Sequence, residues 1–548
     1  MKKTMFRLLF LCIAVTFLNT TTASSQSLEK QIDAIFEEAY PPGKPGSTVL
    51  IAKDDKVLYR KAFGMANLEL NVPMKPENVL ELASITKQFT AVAILMLVEQ
   101  GKLSLDDPLS KYIADYPKGN TVTIHHLLNH TSGIKSYTNM PGFITQARVD
   151  MSPTELIDVF KNEPMDFEPG EAYAYNNSAY ILLGYIIEEV SGMPYEDFIQ
   201  KNIFDKLGMK HSTYGSRSKL IPNRASGYQP SGESYKNADY LSMTLPYAAG
   251  SLMSTVDDMF LWHKAIHNNT LISEKSKQLA FTNNTLNNGK AINYGYGWGV
   301  NEISGVPTIE HTGGIFGFTT SGIYVLEKNI YAIVLTNDNS KGPEPYNLKA
   351  TALVLGKPLI EKPSVTASEV ALKQWTGAYQ FEDVVRFITF ENGDLYSTRE
   401  GGEPFKLIPL SENEFQFEGS FTTYTFAIEN GKKKTLFEDR INKSKGVETD
   451  KKPAAEREAI TLAPETLAVY KGTYELQPSF HIEVTVVGNR LFAQATGQPN
   501  FELFAETEDT FFVKVVPAKV KFNKNADGSM KSLTLLQGGR EMEGLKIR

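Results

Sequence analysis

The 548-residue chain has one cysteine, Cys12, near its start. No intrachain disulfide can form, so stability has to come from packed apolar cores. Histidine is scarce as well, with 8 in all, and beyond Cys12 there is no thiol to join them. The adjacent His125 and His126 point different ways on a helix, so no metal ion and no other cofactor is expected. Basic blocks are missing, and the net charge of -7 argues against nucleic acid as a partner. Long apolar runs are missing too, and beyond the first residues nothing approaches the ~20 needed to span a bilayer.

The first residues have the order of a secretory leader: Lys2, Lys3 and Arg7, then apolar Leu8 to Leu18, then Ala23-Ser24-Ser25. They predict a signal peptide over 1–25 and an exported protein, periplasmic or secreted. Leu11 before Cys12 is not the small residue that a lipid-attachment site needs.

What is present is organised around Glu81-Leu82-Ala83-Ser84-Ile85-Thr86-Lys87, which leads into an apolar run from Phe89 to Val98. That run predicts a helix buried on most sides. Ser84 and Lys87 then share one side of its first turn. A serine hydroxyl is a useful nucleophile only when a neighbour takes its proton. A buried lysine loses the solvation of its charged form and becomes a base. The spacing alone is common, since Ser27/Lys30 and Ser216/Lys219 repeat it in polar stretches that read as surface.

Before this element, a short helix around Ile32, Ile35 and Phe36 and a hairpin from Gly46 to Leu70 turning at Asp54-Asp55 are expected. After it come helices at Ile124 to Asn129 and Ala179 to Gly192. A further helical stretch runs from Ala248 through Asp257 and Asp258, and strands follow at Thr320 to Leu326 and Ile330 to Asn337. Strands early and late with helices between predict one mainly antiparallel sheet completed by both ends of an α+β domain. A linker is expected at Lys357 to Ala367 and another at Lys443 to Pro464. The pieces flanking the second repeat each other at a nearly constant offset. Gly377, Tyr379, Leu395, Pro404, Leu407, Phe415, Phe426 and Gly431 match Gly472, Tyr474, Leu491, Pro499, Leu503, Phe511, Phe522 and Gly528. Two copies of a small all-β, barrel-like domain are expected, over 368–442 and 464–548, behind a first domain over 26–357.

Two further constellations stand in order after Ser84/Lys87. Tyr175-x-Asn177 follows the Pro169-Gly170-Glu171 loop and precedes an apolar helix, which would let a phenol project into a cleft. Tyr137/Asn139 and Tyr235/Asn237 share that spacing without the context. His311-Thr312-Gly313-Gly314 offers a histidine and backbone that only glycines would let a substrate approach. His130-Thr131-Ser132-Gly133 reads as a helix-terminating loop held by structural hydrogen bonds.

Taken in order, Ser84-x-x-Lys87, Tyr175-x-Asn177 and His311-Thr312-Gly313 resemble the serine β-lactamase and penicillin-binding superfamily, in its class C and D-alanyl-D-alanine carboxypeptidase branch, peptidase family S12. Leu127 to Gly133, Gly170-Glu171, Leu183-Gly184 and Leu207-Gly208-Met209 add to the likeness, which spans roughly residues 30 to 350. With two β-repeats behind it, the architecture resembles D-stereospecific aminopeptidases. The resemblance implies a β-lactamase/transpeptidase-like α/β (α+β) domain working through a covalent acyl-enzyme. It makes Ser84 the nucleophile, Lys87 its partner in proton transfer and Tyr175 the general base, later the acid for the leaving group. Asn177, His311, Thr312 and Gly313 would bind substrate, and the backbone N–H groups of Ser84 and Gly314 would form the oxyanion hole.

One position departs from that pattern. β-Lactamases and penicillin-binding enzymes usually carry lysine where this chain has His311, and a mostly neutral histidine holds a substrate carboxylate less well. The expectation moves towards D-amino-acid peptides, amides or esters, small or short substrates that include peptidoglycan fragments. The alternatives are a penicillin-binding D,D-carboxypeptidase or class C-type β-lactamase, and, from another class, a non-catalytic binder or sensor of cell-wall fragments.

Overall fold

A computed structural model of the chain describes residues 28–140, 142–143, 147–232, 234–382, 384–400, 402–452, 459–477, 480–496, 500–514, 518–537 and 540–547. The leader-like residues 1–25, Ser27 and Pro499 lie outside them. The chain divides into one compact unit up to Leu359 and another from Ile360 onward.

The first unit is built on a six-stranded sheet: β1 (Ser47–Lys53), β2 (Lys56–Phe63), β3 (Gly299–Ile303), β4 (Val306–Ile315), β5 (Phe318–Val325) and β6 (Ile330–Thr336). Its order is β3-β4-β5-β6-β1-β2, with antiparallel pairing throughout. The two ends of the unit therefore meet at β1 and β6, as the early and late apolar runs predict. Asp54 and Asp55 turn the β1–β2 hairpin with φ of 48° and 60°, the left-handed pair that a tight hairpin requires. β6 is buried at every position and β1 at all but its last. That fits strands covered on both faces. Helix Glu344–Leu355 packs on β5 and β6, and helix Val256–His267 on β1 and β6.

Beside the sheet lies a helical layer centred on helix Thr86–Glu99, whose residues Thr86 to Leu97 are all buried. Phe89 stacks on Trp262 with ring centroids 4.0 Å apart. Helix Asn177–Ser191 and the single turn Tyr247–Gly250 pack against it. The helical stretch expected from Ala248 onward is broken. After that turn, Leu252–Ser254 pairs as a strand with Leu80–Glu81 and Thr213–Tyr214, and a new helix starts behind the Thr255 cap. His311 to Gly314 lie inside β4 rather than ahead of the strands, and β3 has no counterpart among the expected elements.

The second unit holds two closed eight-stranded barrels, from Gly377–Gln380 to Asn442–Thr449 and from Gly472–Gln477 to Arg540–Lys546. Closure removes the exposed strand edges that a small open sheet would carry. The repeat holds in register: Leu395 pairs with Leu407, and Leu491 with Leu503. Tyr379 and Tyr474, both fully buried, donate to the carbonyls of Trp375 (2.8 Å) and Tyr470 (2.7 Å). Asn442–Thr449 corrects the expected linker at Lys443 to Pro464, because it closes the first barrel against Gly377–Gln380. The first barrel thus continues past the expected boundary at residue 442. The strand lacks an apolar alternation because its buried position is Gly446, where a Cβ would come within 2.7 Å of the Phe381 ring.

Candidate active site

Ser84 sits in a 3-10 turn, Ala83–Ile85, that runs directly into helix Thr86–Glu99. Lys87, one turn on and fully buried, brings Nζ to 3.2 Å from Ser84 Oγ, 2.8 Å from Asn177 Oδ1 and 2.9 Å from the Ala249 carbonyl. Three elements distant in sequence thus converge on one amine. Burial pushes the Lys87 pKa well below its ordinary value, and among the described residues no carboxylate pairs with it to offset that. An amine held neutral beside a hydroxyl can take its proton.

Tyr175 lies over this pair, with Lys87 Nζ 4.8 Å from its ring centroid. Burial raises its phenol above the ordinary value, and a side-chain hydrogen bond with Ser84 draws it back down. The residue keeps 37% of its surface exposed, so solvent weakens the upward push relative to the wholly enclosed Tyr180. Asn177 is fixed at the start of its helix, where Nδ2 donates to Thr138 Oγ1 at 3.1 Å. Asn176 caps that helix by accepting from the Ala179 N–H at 2.9 Å, and its amide donates to the Ile134 carbonyl.

β4 passes the Ser84 turn with alternating faces. Thr312 and Gly314 are exposed, while His311 and Gly313 point inward. Gly313 packs against Leu82 and Ala83, and Gly314 lines a cleft of about 440 Å³ together with Ser84 and Asn177. The other walls are largely apolar, from Tyr137, Phe143, Leu241, Leu245, Ile315 and Phe316. Among the described residues no acidic or basic side chain lines it. An uncharged group fits such walls, because a charge would enter without a partner.

His311 is 8% exposed, and both ring nitrogens face protein. Nδ1 lies 2.6 Å from the Thr312 carbonyl, which can only accept, so Nδ1 carries the proton. Nε2 then accepts from the Tyr294 hydroxyl at 2.9 Å. Burial, with Lys87 nearby, lowers the His311 pKa to about 3. The ring is therefore neutral and its nitrogens are taken.

Ser84, Lys87, Tyr175, Asn177, Gly313 and Gly314 lie together here and Thr312 is exposed on β4, whereas His311, expected to bind substrate, has both ring nitrogens held by protein. Ser216/Lys219 does not join them, since Lys219 pairs with Glu196 on the surface. Two neighbours escaped the sequence reading. Tyr294 belongs to an aromatic–glycine run, Tyr294-Gly295-Tyr296-Gly297-Trp298, whose composition was a usable signal. His130, expected to be purely structural, stands with its ring centroid 4.3 Å from that of Tyr175.

Comparison with known proteins gives the family and the fold. A family model described as Beta-lactamase matches residues 32–356, and one described as a domain of unknown function (DUF3471) matches 456–545. Penicillin-binding protein 4* of Bacillus subtilis is 32% identical over 441 residues, covering 76% of this chain and 97% of that protein. The octameric penicillin-binding protein homologue of Pyrococcus abyssi is 30% identical with a TM-score of 0.53, covering 77% of this chain and 99% of the other. A D-amino acid amidase from Ochrobactrum anthropi, 22% identical with a TM-score of 0.55, covers 60% of this chain and 99% of its own and shares the fold.

Proposed function

Since the chain belongs to the beta-lactamase family, in the superfamily of serine β-lactamases and penicillin-binding proteins, we propose that it is an exported serine hydrolase acting through an acyl-enzyme on peptide, amide or ester substrates that need no carboxylate gripped, those of D-amino acids foremost. The observation that carries the reading is Lys87 Nζ, wholly buried and 3.2 Å from Ser84 Oγ.

Ser84 Oγ attacks the substrate carbonyl carbon as its proton passes to the neutral Lys87 amine. The C=O π pair moves onto oxygen, and the oxyanion is met by the backbone N–H groups of Ser84 and Gly314. Tyr175, which burial keeps a phenol, is not the base that the resemblance implies but the acid: it gives its proton to the leaving group as the bond to carbon breaks, and Lys87 restores the phenol's proton. Water then attacks the ester on Ser84, with the same groups moving its proton to the departing serine. Asn177 holds Lys87 and a polar group of the substrate, while Thr312 and Gly313 shape the strand along which the substrate lies. Export rests on the leader-like residues 1–25.

A D,D-carboxypeptidase or β-lactamase must grip a carboxylate, and the neutral, doubly bonded His311 offers no cation for one. The test is intact mass over time with a penicillin, run beside hydrolysis of p-nitrophenyl acetate, with Ser84→Ala as the blank. Ester turnover that needs Ser84, without a lasting penicillin adduct, is expected. A stable adduct on Ser84 would place the protein with the penicillin-binding enzymes. Binding without any Ser84-dependent turnover would make it a binder.

A further inference from the structure

His130 has φ of 63°, a left-handed conformation that a side chain other than glycine rarely adopts. The conformation lets one residue hold the Tyr175 segment at two points. Its carbonyl accepts from the Ala174 N–H at 3.1 Å, and its Nδ1 accepts from the Asn176 N–H at 3.1 Å. Tyr175 lies between those two anchors. The ring itself is fully buried, with centroids 4.3 Å from Tyr175, 4.8 Å from Tyr294 and 5.2 Å from Tyr180. Because Nδ1 accepts, the proton of the neutral ring is on Nε2, which is buried and has no hydrogen-bond partner among the described residues. A phenylalanine would fill the same space without that orphaned donor, so packing alone does not account for an imidazole here.

We propose that His130 is the positioning residue for Tyr175, its Nδ1 and carbonyl fixing the backbone on either side so that the phenol meets Ser84. The inference rests on the role given to Tyr175 above. It adds a residue that acts through Tyr175 without touching the reacting atoms.

Three variants test it: His130→Phe keeps the ring and loses the acceptor, while His130→Asn keeps an acceptor near Nδ1 and loses the ring's far edge. His130→Gln moves the acceptor by one methylene. Each is assayed with p-nitrophenyl acetate and by NMR of protein labelled with ¹³C-tyrosine, the Tyr175 signal being identified by its loss in Tyr175→Phe. His130→Phe is expected to lower kcat by about tenfold to a hundredfold with KM nearly unchanged, because a displaced group costs transition-state rather than ground-state interactions. The Tyr175 signal should shift in the same variant. His130→Asn should return kcat to within about threefold of the parent. An unmoved Tyr175 signal in His130→Phe, or equal loss in His130→Phe and His130→Asn, overturns the proposal. Should His130→Phe fail to fold, His130→Gln decides: a shifted signal with lowered kcat supports the proposal, an unshifted one refutes it. The NMR readout needs no turnover. Ester hydrolysis that survives Ser84→Ala would therefore sink the functional reading while leaving this one separately judged.

Discussion

Gly313 and Gly314 are neighbours on one strand, and adding the same methyl group to each should have opposite consequences. A Cβ on Gly313 would lie 2.3 Å from Thr320 Oγ1, 2.5 Å from the Leu82 carbonyl oxygen and 3.0 Å from Ala83 Cβ. None of these is the free end of a flexible side chain. Thr320 is fully buried and donates to that Leu82 carbonyl at 3.0 Å, while Ala83 already holds φ of 50°. Relief requires β4 and the Ser84 turn to separate, at a cost of about 1–3 kcal/mol for an overpacked site. The separation moves Ser84 relative to Gly314, and a misplacement near 1 Å costs about a hundredfold in rate. A Cβ on Gly314 meets nothing within 4 Å among the described residues. Gly314→Ala should therefore stay within about 0.5 kcal/mol of the parent in stability, as surface changes usually do. The assay is urea unfolding followed by the fluorescence of Trp262 and Trp298, beside kcat/KM for p-nitrophenyl acetate. A Gly313→Ala protein as stable and active as the parent, or a Gly314→Ala protein equally destabilised, would refute the reasoning.

Three further outcomes are expected. Lys87→Met should lower kcat by about 10²–10⁴-fold, the range for losing a general base, without lowering stability at neutral pH. The Lys87 pKa lies below its unfolded 10.5, so unfolding takes up a proton between the two values and stability rises with pH through that window. The methionine variant should lose that slope, and an unchanged slope would mean that Lys87 is charged at rest. His263 is buried, stacked on Tyr331 at 4.2 Å, with a pKa lowered by burial to about 3. Its unfolded form binds a proton from about pH 6.5 downward, so stability falls as pH drops from there towards 3, by about 1.4 kcal/mol per pH unit for this one group. His263→Phe should reduce the acid slope in urea unfolding by that amount, and an equal slope in both proteins would contradict it. His311→Lys should raise kcat/KM for carboxylate-bearing esters relative to neutral analogues. A constant ratio would count against the charge argument.

Ser84 and Lys87 were legible in the sequence because their relation is local: three residues on one helical turn, followed by an apolar run that can only be buried. The barrel repeat was legible for a similar reason, since matched tyrosines, leucines and phenylalanines recur at matching intervals. Asn442–Thr449 was not, because a strand whose buried position is a glycine under Phe381 shows no alternation to read. The family resemblance named Tyr175, Asn177 and His311, but their partners came from packing. Asn177 reaches Lys87 across 90 residues, and Tyr294 reaches His311 across 17. His130 joins Tyr175 only because the loop at Ile134 and the Asn176 cap fold around one helix start.

Residue type and local periodicity determined which groups can carry chemistry and which segments must be buried. Tertiary structure decided their charge. Burial pushes a lysine and two histidines towards their neutral forms because elements distant in sequence exclude water from them, and desolvation depends on what surrounds a group rather than on its neighbours in the chain.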